Sequence, residues 1–286
     1  MKIKLAKAYG MCFGVKDAIQ LAYQNAKSLT IWGELVHNPI VLEELQKRGA
    51  YINKTLENPE TLENKRVMIT AHGVSNHMRQ SLASRAQHLF DGTCPLVKKA
   101  HHTLARLVEQ GYHPVVIGQR HHVEVKGLTG DYPNAVVIEK EEDMVLLPAY
   151  PRLGVIAQTT FRVETVQAFL EILKRMRPYA EIKFCDTVCQ PTKDRQNAVK
   201  ELAKEVNLLI VIGGKNSNNS TQLVHLAREL NCPVHKVERA EEICESWFDD
   251  SMTVGVTAGT STPESTIQAV IKKLEAIQGR FNQEVA

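Results

Sequence analysis

Three cysteines, far apart in the chain, each begin the same kind of segment. The segments are Cys12-Phe-Gly-Val-Lys, Cys94-Pro-Leu-Val-Lys and Cys189-Gln-Pro-Thr-Lys, so a β-branched residue follows each cysteine after three positions and a lysine after four. Each cysteine also opens a stretch in which apolar residues recur at helical spacing. A helix N-terminus stabilises a thiolate, which is the form of cysteine that binds metals. The repeat therefore predicts a shared functional role for Cys12, Cys94 and Cys189.

Three thiolates fit several kinds of site. A structural zinc site takes four ligands and usually contains close cysteine pairs. Cys185 and Cys189 form a candidate pair, but Cys185 lies outside the repeat. An iron–sulfur cluster held by three cysteines leaves one iron without a protein ligand, and that iron can bind substrate as a Lewis acid and pass electrons to it. A single nucleophilic cysteine with a histidine base would leave the repeat unexplained. The cluster is the favoured hypothesis, and Cys185, Cys232 and Cys244 are interpreted as packing residues.

The elements that must position these cysteines alternate along the chain. Strand candidates include SLTIWGEL, KRVMITAHG, HPVVIGQ, AVVIE, RLGVIAQTT, LLIVIGG and MTVGVTAG, with helix-like segments such as VKDAIQLAYQNAK and VKKAHHTLARLVEQG between them. This alternation predicts an α/β fold with mostly parallel sheets. In such a fold, ligands bind at the carboxyl ends of the strands.

The spacing of the three cysteines suits three small α/β lobes related by a pseudo-threefold axis. We predict that residues 1–12 form an N-terminal strand with the first cysteine. The lobes are predicted over residues 13–95, 96–187 and 188–280, and residues 281–286 are predicted to form a tail. This arrangement would bring the three cysteines towards one centre.

The composition is that of a globular protein, because 43% of the 286 residues are hydrophobic and 23% are charged. The formal net charge of +3 is too small to require a nucleic-acid or membrane partner. No apolar run reaches the roughly 18 residues of a membrane span, and the N-terminus lacks the apolar core of a secretory signal. Six cysteines in a chain this long do not resemble a secreted disulfide scaffold. A cytoplasmic location with reduced thiols is therefore expected.

Polar side chains follow the apolar runs, where a ligand would bind. His37, His72 and His122 each come after a run, in GELVHNP, TAHGVS and RHHVEV. The corresponding places in the last third of the chain carry hydroxyl and carboxamide side chains: Ser217, Asn218, Asn219 and Ser261. Together these groups make a cradle for a phosphate or diphosphate. The segment GGKNSNNS lacks P-loop spacing, which argues against an ATP-driven enzyme.

Glu124 is the best candidate for a proton donor. It lies two residues after His122, and Glu34 is the other acidic residue of these loops. Thr159, in the segment AQTT, could orient the carboxyl group or relay its proton. An alternative role for Thr159 is to cap the helix that the segment FRVETVQAFL predicts.

These motifs, in this order, resemble those of the 4-hydroxy-3-methylbut-2-enyl diphosphate reductase (LytB/IspH) family. The resemblance covers nearly the whole chain, from MCFGV through GELVHN, AHGVS, GTCPLV, HHVEV, QTT, DTVC and KNSNNS to TAGTSTPE. It implies a three-lobed cloverleaf around a central [4Fe–4S] cluster. One iron of this cluster has no protein ligand, and loss of that iron would leave a [3Fe–4S] cluster. The implied reaction is the reductive dehydroxylation of an allylic alcohol diphosphate to isopentenyl and dimethylallyl diphosphate. This is the last step of the methylerythritol phosphate route to isoprenoids, with ferredoxin or flavodoxin as the electron donor.

The resemblance also implies roles for single residues. The three cysteines match the cluster ligands, Glu124 matches the proton-delivering acid, and Thr159 matches a threonine at the hydroxyl end of the substrate. The diphosphate-binding positions match His37, His72, His122, Ser217, Asn219 and Ser261, with Asn218 among them. The chain departs from the family pattern at Val123, where proline is expected, at Asn218, where serine is expected, and in the segment Gln-Pro-Thr after Cys189. These changes alter local shape and diphosphate contacts and leave every predicted ligand in place.

Two other classes of function would use the same features. A non-redox hydro-lyase would use the open iron only as a Lewis acid, and its product would form without an added reductant. A zinc- or cluster-bearing binding protein would bind diphosphates without turnover. The density of motifs favours the reductase over both.

Overall fold

Three four-stranded parallel sheets and their helices make up the fold. The computed structural model describes residues 1–54, 59–63, 65–145 and 147–284. The chain divides into two compact units. A one-sheet unit comprises Met1–Phe13, His37–Val41 and Gln190–Ala286, and a two-sheet unit comprises Gly14–Val36 and Leu42–Cys189.

Strands and helices alternate along most of the chain. The strands are β1 (Lys2–Leu5), β2 (Leu29–Trp32), β3 (Tyr51–Asn53), β4 (Arg66–Ile69), β5 (His88–Asp91), β6 (His113–Ile117), β7 (Val136–Ile138), β8 (Arg152–Ala157), β9 (Glu181–Phe184), β10 (Leu208–Ile212), β11 (Val234–Val237) and β12 (Thr253–Ala258). The helices are α1 (Phe13–Asn25), α2 (Pro39–Lys47), α3 (Asn76–Arg85), α4 (Pro95–Glu109), α5 (Val123–Thr129), α6 (Glu142–Val145), α7 (Val163–Met176), α8 (Gln190–Leu202), α9 (Asn218–Glu229) and α10 (Glu264–Glu284). Short 3₁₀ turns occur at Pro59–Leu62, Ala240–Glu242 and Glu245–Trp247.

The three sheets share one strand order. The orders are β3-β2-β4-β5, β7-β6-β8-β9 and β11-β10-β12-β1, and every neighbouring pair is parallel. The third sheet takes its last strand from the N-terminus, since β1 pairs with β12 from Lys2 opposite Thr253 to Leu5 opposite Val256. The three lobes therefore repeat one strand order, and the predicted α/β fold with three lobes is confirmed.

The central strands of the sheets form the cores. All five residues of β10 and all four of β2 are buried, whereas three of the four residues of the edge strand β1 are exposed. A central strand of a parallel sheet is covered on both faces, so its sequence is a continuous apolar run. An edge strand has one paired neighbour and tolerates charge.

The C-terminal helix α10 extends to Glu284 and so includes residues 281–284 of the predicted tail. Residues 285 and 286 lie outside the described residues, and the predicted lobe boundaries stay predictions. Within the described ranges, no helix has both the length and the apolar composition needed to cross a membrane.

Two glycines let α9 pack closely against strand ends in the one-sheet unit. Gly213 follows β10 and Gly259 follows β12, and a Cβ atom built on them would lie 2.0 Å and 2.2 Å from the Ser220 Oγ atom. Ser220 is fully buried in the first turn of α9. The small residues therefore bring the start of α9 to the carboxyl ends of two central strands.

We expect Gly213→Ala to lower the free energy of unfolding by about 2 kcal/mol, because the added methyl group overpacks against Ser220. The matched control is Gly279→Ala, since no atom lies within 4 Å of a Cβ built at this exposed position of α10. The control should raise the free energy of unfolding by up to about 1 kcal/mol through helix propensity. Urea denaturation measures both, and equal stabilities for the two variants would contradict this packing.

Candidate functional site

All three predicted cysteines lie immediately before helices. Cys12 precedes α1, Cys94 is the N-cap residue of α4, and Cys189 precedes α8; all three residues are partly exposed and none is in a disulfide bond. The backbone amide of each donates a hydrogen bond to the carbonyl of the second residue beyond the third strand of a sheet. These bonds join Cys12 to Thr260 at 3.1 Å, Cys94 to Ala71 at 3.1 Å and Cys189 to Thr159 at 2.9 Å. The three lobes thus hold their cysteines in the same way.

Two of the cysteines share a further turn that the sequence repeat did not reveal. Asp91 and Asp186 lie three residues before Cys94 and Cys189, and each Oδ1 atom accepts the amide of the residue two positions later at 3.0 Å. Burial raises the pKa of Asp91, but hydrogen bonds from Thr93 and Lys98 outweigh this effect and hold it below its usual value. A charged aspartate therefore fixes the approach to Cys94.

A second equivalent set lies five residues beyond β2, β6 and β10. These positions are His37, His122 and Ser217. His122 and Ser217 are the N-cap residues of α5 and α9. His37 is followed by Asn38, whose Oδ1 atom accepts two amides of α2 at 3.0 and 3.4 Å. The polar side chains therefore sit at helix starts, where backbone N–H groups favour anions.

The His122 ring has a defined tautomer. Its Nδ1 atom accepts the backbone amide of Glu124 at 3.1 Å. A backbone amide can only donate, so in the neutral ring the proton is on Nε2. The His72 ring meets His122 edge to face, with centroids 5.5 Å apart. His122 can thus present an N–H donor beside His72.

Glu124 and Thr159 form a buried pair. Thr159 donates its amide to Oε1 at 2.6 Å and its hydroxyl to Oε2 at 2.9 Å, and both residues are less than 5% exposed. Burial raises the pKa of Glu124 to about 7, although the hydrogen bonds from Thr159 oppose the change. This carboxyl group can therefore hold and release a proton near neutral pH. The alternative role of Thr159 as a helix cap is wrong, because Arg162 is the N-cap residue of α7.

Buried polar side chains also converge in the one-sheet unit. The Asn219 Oδ1 atom accepts the amide of Thr260 at 3.0 Å, and its Nδ2 atom lies 3.5 Å from the Thr192 Oγ1 atom. Asn38 donates to the Ser261 carbonyl at 3.0 Å. The Ser261 Oγ atom is buried and has no hydrogen-bond partner among the described residues. An unsatisfied buried hydroxyl is costly, which supports a role in binding a ligand.

A buried arginine holds the loop before Cys12. Arg195, on α8, donates from Nε to the Gly10 carbonyl at 3.1 Å and from Nη1 to the Pro191 carbonyl at 2.7 Å. Gly10 has a φ of +72°, which a residue with a side chain rarely adopts. The guanidinium group thus fixes the loop in a shape that glycine permits.

The structure places the predicted residues in two groups. The two-sheet unit contains His72, Cys94, His122, Glu124, Thr159 and Cys189, and the one-sheet unit contains Cys12, His37, Ser217, Asn218, Asn219 and Ser261. Asn218 is buried, and its Oδ1 atom accepts the Gln222 side chain at 3.1 Å.

Sequence reasoning missed three positioning residues: Asn38, Ser220 and Arg195. Asn38 carried a signal, because asparagine before a proline that starts a helix is typical of an N-cap. Ser220 and Arg195 act through contacts between distant segments, and no local pattern marks them.

Comparison with known proteins identifies the family. The family model described as LytB protein matches residues 3–275. The chain belongs to the LytB family. This LytB chain is 36% identical to the 4-hydroxy-3-methylbut-2-enyl diphosphate reductase of a Nitratiruptor species over 279 residues, covering 97% of the chain and 100% of the relative. The reductase of Vibrio vulnificus is also 36% identical, over 297 residues, with 100% and 93% covered.

Two solved structures are similar to this LytB chain. The E-1-hydroxy-2-methyl-but-2-enyl-4-diphosphate reductase of Plasmodium falciparum has a TM-score of 0.88 at 26% identity, with 95% of this chain and 87% of that chain covered. A second structure is described as (E)-4-hydroxy-3-methyl-but-2-enyl diphosphate reductase, the terminal enzyme of the non-mevalonate pathway. It has a TM-score of 0.69 at 32% identity, with 96% and 100% covered.

LytB proteins are iron–sulfur enzymes, and the donor set of this chain fits such a group. The repeat supplies three equivalent thiols at helix starts. A Cβ atom on Gly14 would lie 2.3 Å from the Cys94 Sγ atom, so only a glycine leaves room for that sulfur. The other cysteines differ, since burial raises the pKa of Cys232 and Cys185 packs against an apolar core. Cys244 is exposed, so its interpretation as a packing residue is wrong.

The raised pKa of Glu124 predicts a pH-dependent stability in this LytB protein. Below the usual pKa of 4.5 the carboxyl group is protonated in both the folded and unfolded states, so stability is complete. As pH rises from 4.5 to about 7, the carboxyl group ionises in the unfolded state but stays protonated in the folded state. About 3 kcal/mol of the free energy of unfolding is lost over this range. We therefore expect Glu124→Gln to gain about 2 to 3 kcal/mol over the unchanged protein between pH 5 and pH 8. Urea denaturation of the metal-free proteins measures this difference, and a constant difference would contradict the shifted pKa.

Proposed function

We propose that this chain reduces (E)-4-hydroxy-3-methylbut-2-enyl diphosphate to isopentenyl diphosphate and dimethylallyl diphosphate. This is the terminal step of the non-mevalonate pathway. The reaction consumes two electrons and two protons, breaks the bond between carbon and the hydroxyl oxygen, and releases water. The full-length similarity to reductases of this name supports the activity. The observation in this chain that carries it is the buried Glu124–Thr159 pair.

The diphosphate is bound by side chains at strand ends and helix starts. We assign this role to His37, His72, His122, Ser217, Asn218, Asn219 and Ser261. His122 donates from Nε2, as its contact with the Glu124 amide requires. The unsatisfied Ser261 hydroxyl can donate to a phosphate oxygen.

Glu124 delivers the proton that the departing oxygen needs. Its pKa of about 7 keeps a large share of the carboxyl group protonated at neutral pH. Thr159 fixes both carboxyl oxygens and can pass the proton through its hydroxyl group, which we place at the hydroxyl end of the substrate. Burial of the pair excludes water from the transfer.

Cys12, Cys94 and Cys189 would hold a [4Fe–4S] cluster, which would be isolated as [3Fe–4S] if the iron without a protein ligand were lost. Such a cluster supplies electrons and an iron that accepts an oxygen ligand. Ferredoxin or flavodoxin is the proposed electron donor. None of the six cysteines, all of which lie among the described residues, is in a disulfide bond, which suits a reducing compartment such as the cytoplasm.

Substitution of any one proposed ligand, such as Cys94→Ser, should lower iron content and turnover together, because hydroxyl groups bind iron–sulfur clusters poorly compared with thiolates. Iron and acid-labile sulfide in anaerobically purified protein measure the loading. Cys185→Ser is the matched control and should change neither quantity. Full iron content in Cys94→Ser would refute the ligand set.

Glu124→Gln should leave the iron content intact and lower turnover at least about a hundredfold, the usual contribution of a general acid. In the unchanged protein, kcat/KM should fall as pH rises through about 7, because the proton donor of the free enzyme ionises. The variant should lose this decline. Normal turnover in the variant would overturn the acid assignment, and product formation without any reductant would favour a hydro-lyase instead.

A further inference from the structure

Helix α4 has one buried face and one exposed stripe. Its buried residues are Val97, Ala100, Leu104 and Leu107. The exposed stripe consists of Pro95, Lys99, His102 and Arg106, which recur at intervals of four, three and four residues. This spacing places them along one side of the helix. The stripe begins beside the N-cap residue Cys94.

The stripe is basic from Lys99 to Arg106, and the next exposed position on the same side of the helix, Glu109, is acidic. The only acidic residue in α4 is Glu109, at its C-terminal end. Lys99 and Arg106 form no ion pair among the described residues. Asp91, near the helix start, already has two cationic partners, Lys98 and Arg79, each 3.0 Å from its Oδ2 atom. The exposed surfaces of α7 and α8 mix both signs, with Glu171 on α7 and with Asp194 and Glu201 on α8.

The sulfur of Cys94 is thinly covered. Against it lies Gly14 of α1, which has no side chain to separate the sulfur from the helix backbone. Two residues further along α1, Lys16 is exposed, and Phe13 is 49% exposed at the helix start. On α4, the exposed Pro95 follows Cys94 directly, so the stripe starts next to this cysteine.

The proposed reaction consumes two electrons for each substrate molecule, and a one-electron carrier protein must therefore dock twice. Electron-transfer complexes are small and transient, with interfaces below about 1,200 Å². Charge complementarity supplies both the steering and the orientation of such encounters. A stripe of unpaired positive charge selects an acidic partner.

We propose that the exposed stripe of α4, formed by Lys99, His102 and Arg106, is the docking surface for an acidic one-electron carrier protein that reduces the centre at Cys94. The inference rests on the proposed function. Each encounter transfers one electron, so the carrier leaves oxidised, and two encounters supply one turnover.

The test uses the loaded enzyme and an acidic ferredoxin. The variant Lys99→Glu/Arg106→Glu should raise the Kd for ferredoxin about tenfold at low ionic strength, measured by isothermal titration calorimetry. High salt should remove most of this difference, because the surface charges are then screened. Turnover driven by dithionite, a small reductant that needs no docking surface, should stay unchanged, as should the iron content.

The matched control is Lys174→Glu/Arg175→Glu, which makes the same charge change at exposed positions of α7. It should leave the Kd for ferredoxin within about twofold. An unchanged Kd in the α4 variant, or an equal loss in the control, would overturn the docking surface. Failure of the unchanged protein to turn over with dithionite would refute the proposed function instead. The comparison of Kd values would still show whether the carrier docks on α4.

Discussion

One backbone hydrogen bond, repeated three times, sets the position of the proposed chemistry. It joins the amide of Cys12, Cys94 or Cys189 to a carbonyl two residues beyond a buried central strand. Such strands lie in the cores, where local opening is rarest. The bond therefore transfers the rigidity of the sheet to the residue that immediately precedes a helix. Each of the three cysteines is thereby held by the sheet of its own lobe.

The same strand ends also position the polar side chains. His122 and Ser217 cap helices five residues beyond equivalent strands, and Asn38 caps the helix that follows His37. A helix start offers free N–H groups and the positive end of the helix dipole. Thiolates and diphosphates are both anions, so in the proposed function one structural feature would serve both. Glycines without side chains, such as Gly213 against Ser220, allow these helix starts to approach the strands.

Central strands could be predicted from sequence and most edge strands could not. Runs such as LLIVIGG are continuous because both faces are buried, and they mark β10 and its equivalents. The edge strand EIKF alternates with charge and resembles a loop, whereas the edge strand KIKL falls within the N-terminal strand predicted over residues 1–12. The cysteine repeat and the strand-end side chains were visible because spacing alone reveals them. The clamp from Arg195 to Gly10 was not visible, because it joins residues 185 positions apart.

The residues at the positions equivalent to Glu124 in the other lobes show which property of its side chain the fold requires. Seven residues beyond β6 and β10 lie Glu124 and Asn219, and a side-chain oxygen of each accepts the amide of the equivalent threonine, Thr159 or Thr260. In the remaining lobe this position is Pro39, and the Ala71 amide donates to the Leu35 carbonyl instead. The fold thus requires only an acceptor oxygen, which a neutral carboxamide provides. A carboxyl group at this buried position costs stability above neutral pH, so its presence is explained by the proton it carries and not by the hydrogen bond it makes.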